Sequence, residues 1–400
     1  MHAADHPPIP MRALLAGARR KQTALLDLIR KLVRAESPSD DKAAVDACVA
    51  LAAAHAKALG GRVKLHRSVA ADGFGDLLEA RFGPKPARSG KNAEEDRSAQ
   101  RCILLLGHLD TVWPVGTLRT MPCRLAEGRL WGPGALDMKA GVAMAFTAIE
   151  MLAEAGLMSW EIVLLLTSDE EVGSPVSRPI IERLAARCAA VYVLEPAQGL
   201  ACKTARKGVG GYRIDVTGVA SHSGVDFASG HSAILELARL LQTVASFTKP
   251  SVGRTVNPGV ISGGTRSNVI AQHAFAEVDV RISRASDAAR VDRLFRSLRC
   301  SDPGCKLDIT GGINRPPMER KPGTVALYKQ ARRLAAELGF QLDEAASGGA
   351  SDGNFTAALG VPTLDGLGAV GEGAHAAHES ILIDHLVPRT ALLAALLATI

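Results

Sequence analysis

The sequence predicts an α/β fold: a discontinuous α/β domain with a central mixed sheet, into which a ferredoxin-like α+β domain is inserted. Three observations carry this. The chain has 400 residues, too many for one ordinary core, so two domains are expected. Up to about residue 207, compact apolar runs alternate with segments of helical periodicity, the βαβ rhythm of a sheet with helices on both faces. From Gly211 the pattern becomes β-α-β-β-α-β, the order of a two-layer ferredoxin-like unit. The larger domain is therefore assigned to 1–207 and 314–400, and the inserted one to 208–313.

Each element follows from local signals. Residues 23–59 carry two amphipathic helical patterns, broken at Glu36-Ser37-Pro38-Ser39-Asp40, where Ser and Asp are N-cap residues for the second helix. A short strand at 78–82 precedes a polar Pro/Gly/Ser-rich loop that runs to about 101. Residues 102–106 form an apolar run of the kind a doubly covered central strand shows. Helical periodicity at 141–155 and 179–187 alternates with strands at 161–167 and 190–194. In the inserted region, strands at 212–217, 258–262, 273–283 and 306–310 are interleaved with helices at 231–247 and 287–298. After Pro316-Pro317 come a helix at 324–338, a Gly-rich loop at 347–352, a short strand near 361–364 and a terminal helix from Val387.

Composition narrows the function classes. With 47% hydrophobic and 22% charged residues, the chain reads as a soluble globular protein. A formal charge of +6 over this length decides little. Only 4% of residues are aromatic, and the basic stretch 85–101 is interrupted by acids and holds no aromatic for a base to stack on, so no nucleic-acid partner is expected. The cysteines Cys48, Cys102, Cys123, Cys188, Cys202, Cys300 and Cys305 are odd in number and widely spaced, which is no disulfide framework. Cys300 and Cys305 lack the second pair that a zinc knuckle needs. The N-terminal stretch has prolines followed by Arg and Lys rather than a signal-peptide core, and no run reaches bilayer-spanning length. The expectation is a cytoplasmic protein without a membrane partner.

The residues that could do chemistry collect at predicted strand ends. His108 and Asp110 follow the apolar run at 102–106; two residues apart, they can point together at the carboxyl edge of the sheet, where open α/β sheets bind ligands. Ser168-Asp169-Glu170-Glu171 ends the next buried strand. Its plain alternative is a capping box. Glu195 follows the strand at 190–194, where a charge is costly unless it lies at the solvent edge or is paired. Asp137 stands between a Gly/Pro-rich turn and a helical segment, and His375, with His378 as its near competitor, lies in a Gly-rich loop. Together these supply enough imidazole and carboxylate ligands for two borderline divalent ions, with Asp137 as a candidate bridge. Two ions with a shared carboxylate form the clamp of aminopeptidase-type hydrolysis.

In this order the residues resemble a family. GHLDTVWP, GPGALDMKAG, TSDEEVGS, LEP, GVASHSG, GGTRSNVI with DVR, GGASDGNF and GAHAAHES are similar to the motifs of the co-catalytic zinc metallopeptidases. That group contains glutamate carboxypeptidase (carboxypeptidase G), aminoacylase, acetylornithine deacetylase and succinyl-diaminopimelate desuccinylase. The resemblance runs from about Leu25 to the C-terminus. It implies two zinc ions (cobalt or manganese being the other divalent choices), one held by His108 and Glu195, the other by Glu171 and His375, with Asp137 bridging them. His375 is chosen over His378 because Gly-Ala-His followed four residues later by Glu matches the family's closing motif. Asp110 would orient His108, and the Asp137–Met138 peptide would be cis. Glu170 would be the general base, moving a proton from the water between the metals to the leaving amine.

The inserted domain would serve as lid and dimerisation domain. Its His222 would reach across a homodimer to the tetrahedral oxyanion, while Asn268 and Arg281 would hold the substrate's free carboxylate. Lys203 and Lys207, near the hinge, would add positive potential. HLDTVWP and the Trp-Gly-Pro-Gly-x-x-Asp-Met-Lys stretch most resemble the glutamate carboxypeptidase branch. The expected reaction is cleavage of the amide to a C-terminal amino acid with a free carboxylate, glutamate first, as in folate-like or N-acyl glutamates. The expected partner is such a small peptide or N-acyl amino acid. N-acyl-amino-acid deacetylase, aminoacylase or dipeptidase activity is the alternative. A metal-deficient dimeric binding module, the non-enzyme alternative, predicts a missing ligand or base, and every matched position is present.

Overall fold

The structure, a computed structural model of the chain, describes residues 10–68, 73–84 and 102–399. The loop read at 82–101 therefore lies, from residue 85 on, outside the described residues. The chain forms two compact units. One comprises the residues up to Ala205, Arg320–Ser347 and those from Ser351 on; the other comprises Arg206–Glu319 with Gly348–Ala350.

The elements, in order, begin with helices α1 (Met11–Arg20), α2 (Gln22–Arg34) and α3 (Lys42–Ala58) and strands β1 (Arg62–His66), β2 (Leu77–Phe82), β3 (Cys102–His108), β4 (Arg124–Ala126) and β5 (Arg129–Trp131). Then come α4 (Ala140–Ala155), β6 (Glu161–Thr167), α5 (Arg178–Ala185), β7 (Ala190–Val193) and β8 (Cys202–Arg206). The smaller unit holds β9 (Gly208–Thr217), α6 (Ala233–Ala245), β10 (Thr255–Gly263), β11 (His273–Ile282), α7 (Ser286–Arg296) and β12 (Lys306–Arg315). The chain ends with α8 (Pro322–Glu337), β13 (Glu344–Ser347), α9 (Gly353–Ala358), β14 (Thr363–Leu364), β15 (Gly371–Glu372), β16 (Ser380–Leu382) and α10 (Leu386–Ala398).

In the larger unit, the main sheet of the described residues runs β1-β2-β6-β3-β7-β14. It is mixed: β6, β3, β7 and β14 are parallel, whereas β1 and β2 are antiparallel to their neighbours. The unbroken apolar run in β3 exists because both faces of the strand are covered. Ile103 and Leu105 enter the core that also holds residues of α1 to α4, α8 and α10, while Leu104 and Leu106 enter a second core with residues of α5 and α9. Each such fully buried Leu or Ile contributes on the order of 2 kcal/mol. The register sets His108 opposite Thr167 and Leu106 opposite Val193, so three strands end along one edge.

Helix α4 can close on that edge because residue 141 is glycine. A Cβ there would stand 2.1 Å from the Leu194 carbonyl oxygen, one residue before Glu195. A second, four-stranded sheet, β15-β16-β5-β4, pairs Ser380 with Trp131 and so joins the Asp137 turn to the loop carrying His375.

The smaller unit is an antiparallel sheet in the order β10-β11-β9-β12, with the core side chains of α6 and α7 packed against it. Tyr212 of β9 stacks on Phe295 of α7 at a centroid separation of 3.8 Å. This is the ferredoxin-like order read from the sequence. No described helix is long and apolar enough to cross a membrane.

Several local readings need correction. The N-cap of α3 is Asp41, whose side chain accepts from the Ala44 amide at 3.0 Å, not the Ser or Asp of 37–40. The capping box at Ser168 does not form: the Ser168 hydroxyl donates instead to the Gly75 carbonyl at 2.7 Å. Helix α1, the short strands β1, β4, β5, β8, β13, β15 and β16, and helix α9 were not anticipated, and β9 and β12 run longer than their alternating cores. Two- to five-residue strands are too short to display a period.

Candidate metal centre

The site begins with His108, the last residue of β3 and almost fully buried. Its Nδ1 lies 2.9 Å from the Asp110 backbone carbonyl, which takes the ring proton and leaves Nε2 as the free donor atom. That Nε2 is 3.2 Å from Oδ1 of Asp137 and 3.7 Å from Oε1 of Glu195. The other oxygen of Asp137, Oδ2, is 3.4 Å from Nε2 of His375, and the same nitrogen is 3.1 Å from Oε2 of Glu171. Five of the expected side chains thus converge from strand ends and loops of the larger unit. Donor atoms of His108, Asp137 and Glu171 all lie within 4.8 Å of one another. The competitor His378 is exposed and is not part of this group.

The Asp110 carboxylate acts on the neighbouring loops. Its Oδ1 and Oδ2 accept from the backbone amides of Glu170 at 3.2 Å and Glu171 at 3.1 Å, and Oδ2 also accepts from the Ser39 hydroxyl at 2.7 Å. It therefore orients His108 chiefly through its carbonyl, since Oδ1 stands 3.5 Å from Nδ1, and holds the turn that carries Glu170 and Glu171. Glu170 is buried on that turn. The break between α2 and α3 contributes as well: the Ser37 hydroxyl donates to the Leu109 carbonyl at 2.6 Å.

Asp137 sits in a turn with a cis Asp137–Met138 peptide, the form that the resemblance implies. His375 has a left-handed backbone, φ 61°, uncommon for a residue with a side chain. Glu379, four residues on and buried, accepts from the amides of Gly134 and Leu136 at 2.8 Å each, from that of Asp137 at 3.0 Å and from the Trp113 indole at 2.9 Å. Every one of these contacts is a donor, so the carboxylate form satisfies them. Burial pushes the other way, raising the Glu379 carboxyl above the ordinary range.

The electrostatics describe a cluster that wants positive charge. Burial works against a proton on His108, but the carboxylates of Asp110 and Asp137 outweigh it and hold the imidazole well above its ordinary value. Asp137 and Glu171 push His375 up to about 10. Asp137, although burial opposes it, is held below the usual carboxylate range by both histidines. Carboxylates that force both imidazoles to keep protons are a donor set into which divalent cations fit, and mixed nitrogen and oxygen ligands suit zinc.

Three further expected residues lie in the smaller unit. Nδ1 of the exposed His222 accepts from the amides of Gly224 at 3.1 Å and Val225 at 3.2 Å. The Asn268 carbonyl accepts from the Ser223 amide at 3.1 Å, so these two loops are neighbours. Arg281 is not with them: it pairs with Asp279 at 2.9 Å near the far end of β11. Lys203 is buried, its backbone paired with Asp365, and Lys207 is half-buried. Sequence reasoning missed Ser37, Ser39 and Trp113 as supports of the site, and used Glu379 only as part of a motif. The sole local signal was the proximity of Glu379 to His375.

The model of peptidase family M20/M25/M40 matches residues 104–399. The chain is 28% identical over 390 residues to carboxypeptidase G2 of Pseudomonas sp. (strain RS-16), covering 96% of this chain and 90% of that protein. It is 30% identical over 324 residues to succinyl-diaminopimelate desuccinylase of Acidovorax ebreus, covering 76% and 80% respectively. Aminopeptidase PepT from Bacillus cereus has the same fold, with a TM-score of 0.77 at 23% identity over 94% of this chain and 98% of that one. With a family match over most of its length, the chain belongs to peptidase family M20/M25/M40 and is a metal-dependent peptidase or amidohydrolase.

Proposed function

We propose that this enzyme is a dizinc hydrolase cleaving the amide bond to a C-terminal amino acid with a free carboxylate, glutamate being the first substrate class. The observation that carries the reading is Asp137, whose two oxygens face different histidines at 3.2 and 3.4 Å. His108 and Glu195 would hold one ion, Glu171 and His375 the other, with Asp137 shared; cobalt or manganese would suit the same donors. Ions held there supply Lewis acidity toward the scissile carbonyl and toward water.

The chain's own groups do the rest. The Glu170 carboxylate takes a proton from the attacking water and returns it to the leaving nitrogen, so the amine departs neutral. In His222 the two amide donors on Nδ1 leave the ring proton on Nε2, the kind of donor a developing oxyanion needs. Arg281 would meet the substrate carboxylate with its planar fork, assisted by Asn268.

A homodimer through the inserted domain is part of the same reading. Residues 273 to 281 of β11 span roughly 26 Å at strand rise, with the His222 and Asn268 loops toward one end and Arg281 at the other. Using both ends in one site calls for two copies. The smaller unit also carries exposed Val225, Phe227, Leu235 and Ile261, and among the described residues β10 is an edge strand of its sheet.

Similarity to carboxypeptidase G2 and the HLDTVWP motif favour the carboxypeptidase reading. The 30% identity to a desuccinylase favours N-acyl-amino-acid deacylation as the second. A hydrolysis screen of N-acyl amino acids and dipeptides separates them. Preference for C-terminal Glu over Asp, Ala, Leu and Arg supports the first, whereas preference for diamino-acid or ornithine derivatives replaces it with the second. Metal analysis showing one zinc or fewer per chain, in protein never exposed to chelator, would remove the paired centre.

A further inference from the structure

We propose that Glu379 is a positioning residue that fixes Asp137 and thereby the affinity of both metal positions; the inference rests on the two-metal reading above. Its two oxygens are fully engaged by four donors from two segments: the Trp113 indole, and the backbone amides of Gly134, Leu136 and Asp137. Three of those donors belong to the turn that presents the shared carboxylate, including the amide of Asp137 itself. With its oxygens so engaged, Glu379 supports Asp137 without being a ligand.

Its own place is set by its main chain. The backbone carbonyl of Glu379 accepts from the Gly132 amide at 3.3 Å, and the next residue, Ser380, pairs with Trp131 in the small sheet. The main chain of Glu379 is thus fastened at the start of the turn, and its side chain spans the turn to its end. Because His375 lies only four residues earlier, one short segment supplies a ligand to one ion and the support for the ligand common to both. Trp113 brings in the loop that follows His108 and Asp110.

Glutamine at 379 would have one oxygen for the amides of Leu136 and Asp137, but would set an NH₂ group against the donors of Gly134 and Trp113. The turn would then have to move. Supports of this kind cost about 10- to 100-fold in metal affinity when removed. The test measures zinc dissociation constants for both ions by competition with a chelator, in the parent, E379Q and E379D, with thermal unfolding of each metal-free protein alongside.

The expected result is a loss of about 10- to 100-fold for both ions in E379Q, a smaller loss in E379D, and hydrolysis that recovers toward the parent when zinc is added in excess. Zinc affinities equal to the parent's in a folded E379Q, even with a lowered unfolding temperature, overturn the inference and leave a structural role only. If E379Q does not fold, E379D is read by the same criterion, and failure of both to fold also overturns it. A parent that binds fewer than two zinc ions defeats the two-metal reading instead, whereas a parent with two ions and an unaltered E379Q defeats this inference alone.

Discussion

Glu170 and Glu171 are adjacent acids on one turn, and the proposed mechanism gives them different tasks. The Asp110 carboxylate accepts both of their backbone amides, so the turn is fixed and the two side chains diverge. Glu171 reaches His375, while Glu170 is the proposed base. Glu170→Gln keeps the shape of the side chain and removes the base; kcat is expected to fall by about 10²–10⁴-fold with the zinc content unchanged. Turnover near the parent level, measured on the best substrate of the screen, would take Glu170 out of the mechanism. Sequence spacing alone could nominate these acids, because they terminate a long buried strand. It could not show that Ser39, more than 60 residues away in sequence, would steady Asp110 with a hydroxyl at 2.7 Å. A single serine in a helix break carries no periodic signal, and its plain reading as a helix cap was the wrong one.

At the level of elements, legibility followed length. β3, β6 and β7 are apolar runs buried on both faces, and their ends locate His108, Glu170 and Glu195. Asp137 and His375 are brought together by β5 and β16, strands of three residues each, whose pairing no local pattern announces; motif resemblance had to supply that connection. Two element contacts can be tested directly. Gly141→Ala would set a methyl 2.1 Å from the Leu194 carbonyl, and overpacking of this kind costs about 1–3 kcal/mol. A lower urea midpoint together with weaker zinc binding at the Glu195 side is the expected result; an unchanged midpoint would mean that α4 has room to shift.

In the smaller unit, Glu236 on α6 ties down the loop before β12. It accepts from Arg239 Nε at 3.1 Å and from the Ser301 amide and hydroxyl at 2.9 Å each. Burial pushes its carboxyl up, but the Arg239 and Ser301 contacts prevail and hold it at about 2, against 4.5 for the free group. A depressed folded value means that the stabilisation is complete above pH 4.5 and is lost as pH falls toward 2. Glu236→Gln is therefore expected to lose about 1–3 kcal/mol at pH 7 and to show a flatter decline in acid than the parent. Parallel unfolding curves between pH 5 and 2 would assign the acid sensitivity to other groups.

For the whole molecule, the decisive question is whether a complete site needs two chains. His222 and Asn268 lie toward one end of the inserted sheet and Arg281 at the other, and in a twofold dimer each end can serve a different site. That arrangement makes a prediction which no single variant can imitate. On the proposed mechanism Glu170→Gln lacks the base and His222→Ala lacks the oxyanion donor, so a homodimer of either is expected to be nearly inactive. When the two are mixed and allowed to exchange subunits, a heterodimer joins one chain's intact Glu170 to the other chain's intact His222 in one of its two sites. Random exchange makes half of the dimers mixed, and half of the sites in those are complete, so activity should recover to about a quarter of the parent level under twofold symmetry. If His222 instead served its own chain, every site in the mixture would lack one group and nothing would recover. An added substitution at the exposed edge, Ile261→Lys, should abolish the recovery by keeping the chains apart, read as a monomer in sedimentation. Recovery that persists in a monomeric protein could not come from a site shared between chains and would overturn the dimer reading.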